Sequence, residues 1–302
     1  MLTARSTLAG RAEEALLARN QLFENFFSQE AQRLALACRE MSERFLEGGR
    51  LLAFGRGPYS TDAQHVSVEF VHPVIVGKRA LPALDLSILF GPWLEALVHP
   101  EDIVMGFGPP EGDPEVQESL KAAHERGAMT FALPGEKGSY AFTAVTLDPF
   151  IHQEMIEILY HTLWETVHVF FERRELGHDV GAAAFLYPFL GQEKQPTTGV
   201  IEEVAASIKL KVQEDANLRA QVAQGQSGEI ADAALRIRDQ IDKGGKLILF
   251  GNGGSATPPT SPRPTPRATP GPRPPRSTTC ASRMNCTPGR GRKSASISRR
   301  RT

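Results

Sequence analysis

Three cysteines in 302 residues are too few for a disulfide framework, and Cys38, Cys280 and Cys286 have no zinc-ligand spacing. Long apolar runs are missing too. No stretch approaches the roughly 18 consecutive apolar residues of a spanning helix, and Met1 to Arg11 lacks the apolar centre of a signal peptide. A cytoplasmic protein with no membrane partner is therefore expected. Acidic and aromatic residues are absent altogether from Pro258 to Thr302, a stretch of 45 residues with 10 Pro, 10 Arg and one Lys. Burying so little apolar area cannot offset about 1–2 kcal/mol per residue of backbone entropy, so a disordered Pro/Arg-rich tail is expected over 258–302. That tail carries +11, which leaves 23 basic and 35 acidic groups, a net of −12, in the first 257 residues. Eleven positive charges would hold a nucleic-acid backbone non-specifically, but no aromatic ring is present to stack on a base, so such binding is expected to be incidental.

What is present is a repeat. Residues 48–61, GGRLLAFGRGPYST, recur at 244–257 as GGKLILFGNGGSAT with a constant offset of 196 and seven of fourteen positions identical. Each copy follows apolar residues stepping by three and four, Leu34, Ala37, Cys38, Met41 and Phe45 in one case and Ile230, Ala233, Ala234, Ile237 and Ile241 in the other. That is the spacing of a buried helix face. The unit reads as helix, Gly-Gly stop, buried strand and glycine-rich turn.

Beyond the first turn the pattern predicts helices over 60–71, 93–98, 114–126 and 150–174. Strands are expected at 81–86, 102–107, 129–133 and 143–147. Alternation of this kind points to an α/β fold with a mostly parallel sheet flanked by helices. The second copy has entry helices at 200–221 and 229–242 and one strand at 246–250, then runs into the tail. The expected organisation is a domain over 1–175, a linker over 176–198, and an incomplete second copy over 199–257.

At the glycine turns the sequence resembles the sugar isomerase (SIS) family of the phosphoheptose isomerases. Gly-Asn-Gly-Gly-Ser at 251–255 is similar to the turn that ends that family's first strand, and Asp62-Ala63-Gln64-His65 with Glu69 resembles its first helix. His152 to Glu165 is similar to its closing helix. The resemblance implies an SIS-type sheet with long N-terminal helices, a sugar-phosphate ligand and aldose–ketose isomerisation of sedoheptulose 7-phosphate. It also implies assembly as a dimer or tetramer. A glycine turn leading into a helix N-terminus suits a phosphate, with Ser60, Thr61, Asn252, Gly253, Gly254 and Ser255 as the expected contacts. Ser60 and Thr61 fit helix capping equally well. His65 and Glu69, four apart on one helix face, suit an acid–base pair or a metal pair, and the resemblance adds Gln153 to them around zinc.

Several positions depart from the family. The closing-helix histidine expected by resemblance falls at Ile156, with His161 matching a further family histidine. His161 and His168, on an otherwise apolar helix, read as buried or interface side chains. The phosphate serine and its preceding glycine fall at Tyr59 and Pro58, and the second phosphate loop reads Gly106-Phe107-Gly108-Pro109-Pro110-Glu111, without a hydroxyl. The chain between Ser87 and Asp102 is too short for the family's loop over the sugar. These losses imply an impaired isomerase, and the alternative is a non-catalytic scaffold like the SIS proteins that associate with a replication initiator. The abrupt change at Pro258 is what a reading-frame slip in a GC-rich gene would produce; an unbroken frame at the source locus would refute that reading.

Overall fold

The computed structural model describes residues 2–73, 75, 78–175 and 197–248; the side chains of residues 2–4, 172–175 and 197–198 are outside that description. Helix α1 spans Leu2–Leu46 and ends at Gly48, whose φ of +95° suits glycine alone. Strand β1 (Leu51–Gly55) then leads into α2 (Ser60–Val71). After β2 (Ala83–Asp85) and α3 (Phe90–Leu97) come β3 (Ile103–Phe107) and α4 (Pro114–Glu125). Strands β4 (Met129–Leu133) and β5 (Tyr140–Ala141) precede α5 (Pro149–Glu175), and α6 covers Thr197–Asp242.

The five strands form one sheet in the order β2-β1-β3-β4-β5, every pair parallel. Both faces are covered, and the period of two along each strand decides which residue goes where. Leu51, Ala53, Ile103, Met105, Phe107, Met129 and Phe131 face one core, shared with α1, α2, α5 and α6. Leu52, Phe54, Val104 and Ala132 face the other, where Phe90, Leu94, Val116 and Leu120 of α3 and α4 meet them. The N-terminal ends of β1 and β3 are held by Asp102. Its buried carboxylate accepts from the Arg50 backbone N (2.9 Å), Arg50 Nη2 (2.7 Å) and the His99 backbone N (2.9 Å).

Helix α6 lies along α1. Asn20 Nδ2 donates to the Ala216 carbonyl (2.9 Å), Arg219 Nη1 to Asn20 Oδ1 (2.8 Å), and Arg5 pairs with Asp232 (2.6 Å). Ile201, Val204, Ile208 and Val212 of α6 enter the same core as β1 and α5.

Three expectations are corrected. Residues 197–242 form one helix rather than two, running on through Gly225 and Gly228 alongside α1; Gly228 lies against the Arg5 guanidinium. The strand expected at 143–147 is absent, and the pairing with β4 is made instead by Tyr140 and Ala141. Lys246 to Ile248 are not strand, and Leu247 and Ile248 stand exposed. Phe250, the turn at 251–257, the tail and most of the linker lie outside the described residues.

Candidate functional site

In a sheet of order 2-1-3-4-5 the direction of winding reverses between β1 and β3, and a crevice opens at the C-terminal ends of those strands. Here it is bounded by the turn after β1 and the loop after β3. Gly55 has to be glycine: a Cβ there would lie 2.1 Å from the Tyr59 carbonyl oxygen. Gly57, at φ +59°, begins a single 3-10 turn ending at Tyr59, and α2 starts at once.

The hydroxyls of Ser60 and Thr61 donate back to the carbonyls of Gly57 (2.8 Å) and Pro58 (2.9 Å), so neither caps α2 by accepting a backbone N–H. Tyr59 is buried, filling the place where a serine was expected. Asn252, Gly253, Gly254 and Ser255 fall outside the described residues.

One turn into α2, the His65 and Glu69 side chains meet α5. His65 Nε2 is 3.5 Å from Glu69 Oε1, and His161 Nε2 is 3.9 Å from the same oxygen. The three residues offer ligand atoms all within 4.8 Å of one another. His161 therefore belongs to the cluster and is not a bland histidine. Ile156 leaves no gap here: it is fully buried in the core, while the face of α5 turned to α2 steps by four through Gln153, Glu157 and His161. His168 does behave as a core histidine, its nitrogens lying 2.7 Å from the Trp164 carbonyl and 3.0 Å from that of Arg79. The Gln153 amide donates to Asp62 Oδ2 (3.3 Å) and Thr61 Oγ1 (3.4 Å), one turn before His65.

Neighbours that the sequence did not flag set the tautomers. His65 Nδ1 lies 2.9 Å from the Tyr160 hydroxyl, which also bonds Glu157, and His161 Nδ1 is 2.7 Å from the Glu157 carbonyl. In the neutral rings, with each Nδ1–H so engaged, each Nε2 lone pair would be left on the Glu69 side, where a metal ion could take it in place of a proton. Burial works against charge on His65, but Glu157 and Glu69 outweigh it and push the imidazole up to about 9. His65 in turn holds the carboxyls of Glu69 and Glu157 below their usual range. Burial, reinforced by Glu157, pushes the Asp62 carboxyl up to about 8. Two imidazoles with fixed Nδ1 atoms and one carboxylate fit zinc or a similar first-row divalent cation.

Across the crevice the loop after β3 carries no hydroxyl. Asp113 Oδ1 caps α4 by accepting from the backbone N of Glu115 (2.9 Å) and of Val116 (3.1 Å). Arg56, from the turn after β1, reaches over to Glu115 (2.5 Å) and Asp113 (3.6 Å). Beneath the loop, buried His152 bonds the Gly108 carbonyl through Nε2 (3.1 Å), while its Nδ1 has no partner. Burial lowers the pKa of this imidazole, which keeps it neutral.

These features define a doubly wound α/β protein that carries an imidazole–carboxylate cluster between α2 and α5. Among curated proteins, the phosphoheptose isomerase of Solidesulfovibrio magneticus is 32% identical over 148 residues, 44% of this chain and 71% of that enzyme. The phosphoheptose isomerase of Pelobacter propionicus is 32% identical over 139 residues, 41% of this chain and 74% of that enzyme. The chain belongs to the phosphoheptose isomerase family. Among solved structures, the phosphoheptose isomerase of Neisseria gonorrhoeae shares 23% identity over 55% of this chain and 98% of its own, with a TM-score of 0.43. No family model matches the chain. Among the described residues, no helix is long and apolar enough to cross a membrane.

Proposed function

We propose that this protein catalyses aldose–ketose isomerisation of a heptose-type sugar at the cluster of His65, Glu69 and His161, with the phosphorylated heptose handled poorly. The observation that carries this reading is the meeting of those three side chains within 4.8 Å on two helices, α2 and α5. A proton must leave one of two adjacent sugar carbons and return to the other, while a second proton moves between their oxygens, with no net gain or loss of atoms. Glu69, held ionised by His65, is the group suited to carry the carbon-bound proton. His161, with 41% of its side chain exposed, is the imidazole on the open side and serves the oxygens. Tyr160 and Glu157 fix the ring of His65. Zinc, when held by His65, His161 and one oxygen of Glu69, would polarise the sugar carbonyl and take over the role of His161 at the oxygens, leaving the second Glu69 oxygen for the carbon-bound proton. Gln153, about two turns before His161 on α5, completes the ligand set in this reading. The proposal carries with it a cytoplasmic protein working as a dimer or tetramer.

A scaffold without catalysis is the second reading, favoured by the loop after β3, which lacks every hydroxyl expected to hold a phosphate. Zinc titration by calorimetry on the full chain, with isomerisation of sedoheptulose 7-phosphate and of free sedoheptulose followed by NMR, separates the two. Catalysis predicts one zinc per chain, turnover of at least one sugar, and loss of both zinc affinity (about tenfold or more) and turnover in Glu69→Gln. Unchanged zinc binding in Glu69→Gln, or no turnover of either sugar by the zinc-loaded chain, would sink the catalytic reading.

A further inference from the structure

We infer that the α1–α6 helix pair is a two-sided seat, and that its open side takes a second parallel sheet body of the kind built by residues 48–175, carried by polypeptide outside these 302 residues. The inference does not depend on the isomerase reading. Helix α6 is the counterpart of α1 in the repeat at an offset of 196, and both helices end in the same way. Gly48 and Gly244 take φ of +95° and +82°, and the N–H groups of Gly49 and Gly245 bond the carbonyls of Arg44 and Gln240 at 2.9 and 2.8 Å. Each of these residues is the other's counterpart.

Contacts between the helices fix their relation. Arg5, near the start of α1, pairs with Asp232, near the end of α6, so the two run antiparallel. At mid-length Asn20 bonds the carbonyl of its own counterpart, Ala216 (2.9 Å), and the ring of Phe23 lies 5.1 Å from the guanidinium of its own counterpart, Arg219. Antiparallel helices that meet at equivalent positions are related by a two-fold axis through the meeting point. Rotation about it exchanges α1 with α6, so the place of the sheet on one side of the pair has an equivalent on the other.

On the covered side, Leu34, Ala37, Cys38, Met41 and Phe45 of α1, with Val204, Ile208 and Val212 of α6, enter the core under the sheet. Their counterparts are Ile230, Ala233, Ala234, Ile237 and Ile241 of α6, with Leu8, Ala12 and Leu16 of α1. An apolar stripe at that spacing is the mark of a helix face that packs on a core. Yet Ile230, Ile237 and Ile241 are 39%, 43% and 52% exposed, where Leu34 and Met41 are fully buried. The residues after α6 identify the occupant. Leu247 and Ile248 are exposed, whereas their counterparts Leu51 and Leu52 are buried in β1, with β2 on one flank and β3 on the other. What fits is therefore a body that sets a parallel strand on each flank of 247–248 and lays its apolar face on the open stripe. Residues 258–302, whose only large apolar side chains are Met284 and Ile297, do not make such a body. A second copy of this chain has its one sheet already seated under its own helices.

The test expresses the full chain together with a separate polypeptide of residues 47–175, the sheet body without α1, and counts chains by native mass spectrometry. A one-to-one complex is expected. Its dissociation constant should rise about tenfold or more when the full chain carries Ile237→Glu and Ile241→Glu, and stay within about twofold in Leu210→Glu, an exposed leucine of α6 whose counterpart is Glu14 and which lies on neither stripe. In the full chain alone the double variant should leave the oligomeric state unchanged and Tm within about 2 °C. Absence of a complex, or a complex that the double variant leaves intact, overturns the inference. So does a changed oligomeric state or a lower Tm of the double variant alone, which would mean that a second copy or residues 176–196 already fill the seat. If the separate polypeptide is insoluble, residues 62–175 are joined after Thr257 in place of the tail. The added amides should then be protected from hydrogen exchange and lose that protection in the double variant; free exchange in the parent overturns the inference.

Discussion

Replacing Asp102 by Ala should destabilise the domain by about 3 kcal/mol, and the reasoning can be checked against pH. The carboxylate is 1% exposed and accepts four hydrogen bonds: from the Arg50 backbone N, Arg50 Nε and Nη2, and the His99 backbone N. Removing one member of a buried ion pair costs roughly 3–5 kcal/mol, and each backbone N–H left without an acceptor roughly 1–3 kcal/mol. The lower end applies because 30% of the Arg50 side chain reaches water and can be resolvated. For a domain of this size 1 kcal/mol moves Tm by about 2–4 °C, so a fall of about 6–12 °C is expected at pH 7, read by circular dichroism. Burial alone would raise the Asp102 carboxyl, but Arg50 and the two backbone donors outweigh it and hold the group below its usual range. A depressed folded pKa contributes stability that is complete above the unfolded value of about 3.9 and is lost as pH falls through the folded one. The gap between wild type and Asp102→Asn should therefore be constant from pH 8 to 5 and narrow only below about 4. A Tm within 2 °C of wild type for Asp102→Ala at pH 7, or a gap to Asp102→Asn that persists undiminished at pH 3, would refute the argument.

Two further substitutions probe backbone geometry. Gly55→Ala places a Cβ 2.1 Å from the Tyr59 carbonyl oxygen, so the turn must move; a loss of about 3 kcal/mol or more is expected, with weaker zinc binding as α2 shifts, and a wild-type Tm would contradict the turn described. Leu89→Gly should act in the opposite direction. Leu89 stands at φ 64°, 70% exposed, before α3, and relief of about 1–2 kcal/mol of strain outweighs the added freedom of the unfolded chain by about 0.5 kcal/mol. Chemical denaturation that shows the variant less stable than wild type would count against that account.

The parts of this molecule that could be read from its sequence were those governed by neighbours along the chain. Helix α2 and strand β4 fall on the expected residues because their apolar periods are punctuated by Gly-Pro and by Gly127. Val145 and Thr146 have strand propensity, yet pairing with β4 is decided earlier, at Tyr140 and Ala141, which propensity does not reveal. The break expected between residues 221 and 229 is absent: the helix runs on through Gly225 and Gly228 despite their low helix propensity, with Gly228 beside Arg5 of α1. In the site, the four-residue step from His65 to Glu69 was legible as one helix face. His161 was not, because its role depends on how α5 is rotated against α2, and a shift of attention to Ile156 picks the core face of the same helix. Arg56 facing Asp113 and Glu115 left no sequence signal, since two separate crossovers bring those residues together.

Helix α6 gives the molecule a gradient of local opening. Near its start, Val204, Ile208 and Val212 are sealed into the core under the sheet, so amides there should exchange with solvent only when the whole unit unfolds. Further along, contact narrows to a seam of small residues, Ala216, Ala223 and Ala231, and past Ala231 no residue of the helix is buried. Those last turns should fray on their own. A protease would meet two very different substrates in one continuous helix: cuts after Asp232 would trim an arm and leave the crevice untouched, whereas a nick near Ile208 would unroof the sheet and take the cluster of His65, Glu69 and His161 apart with it.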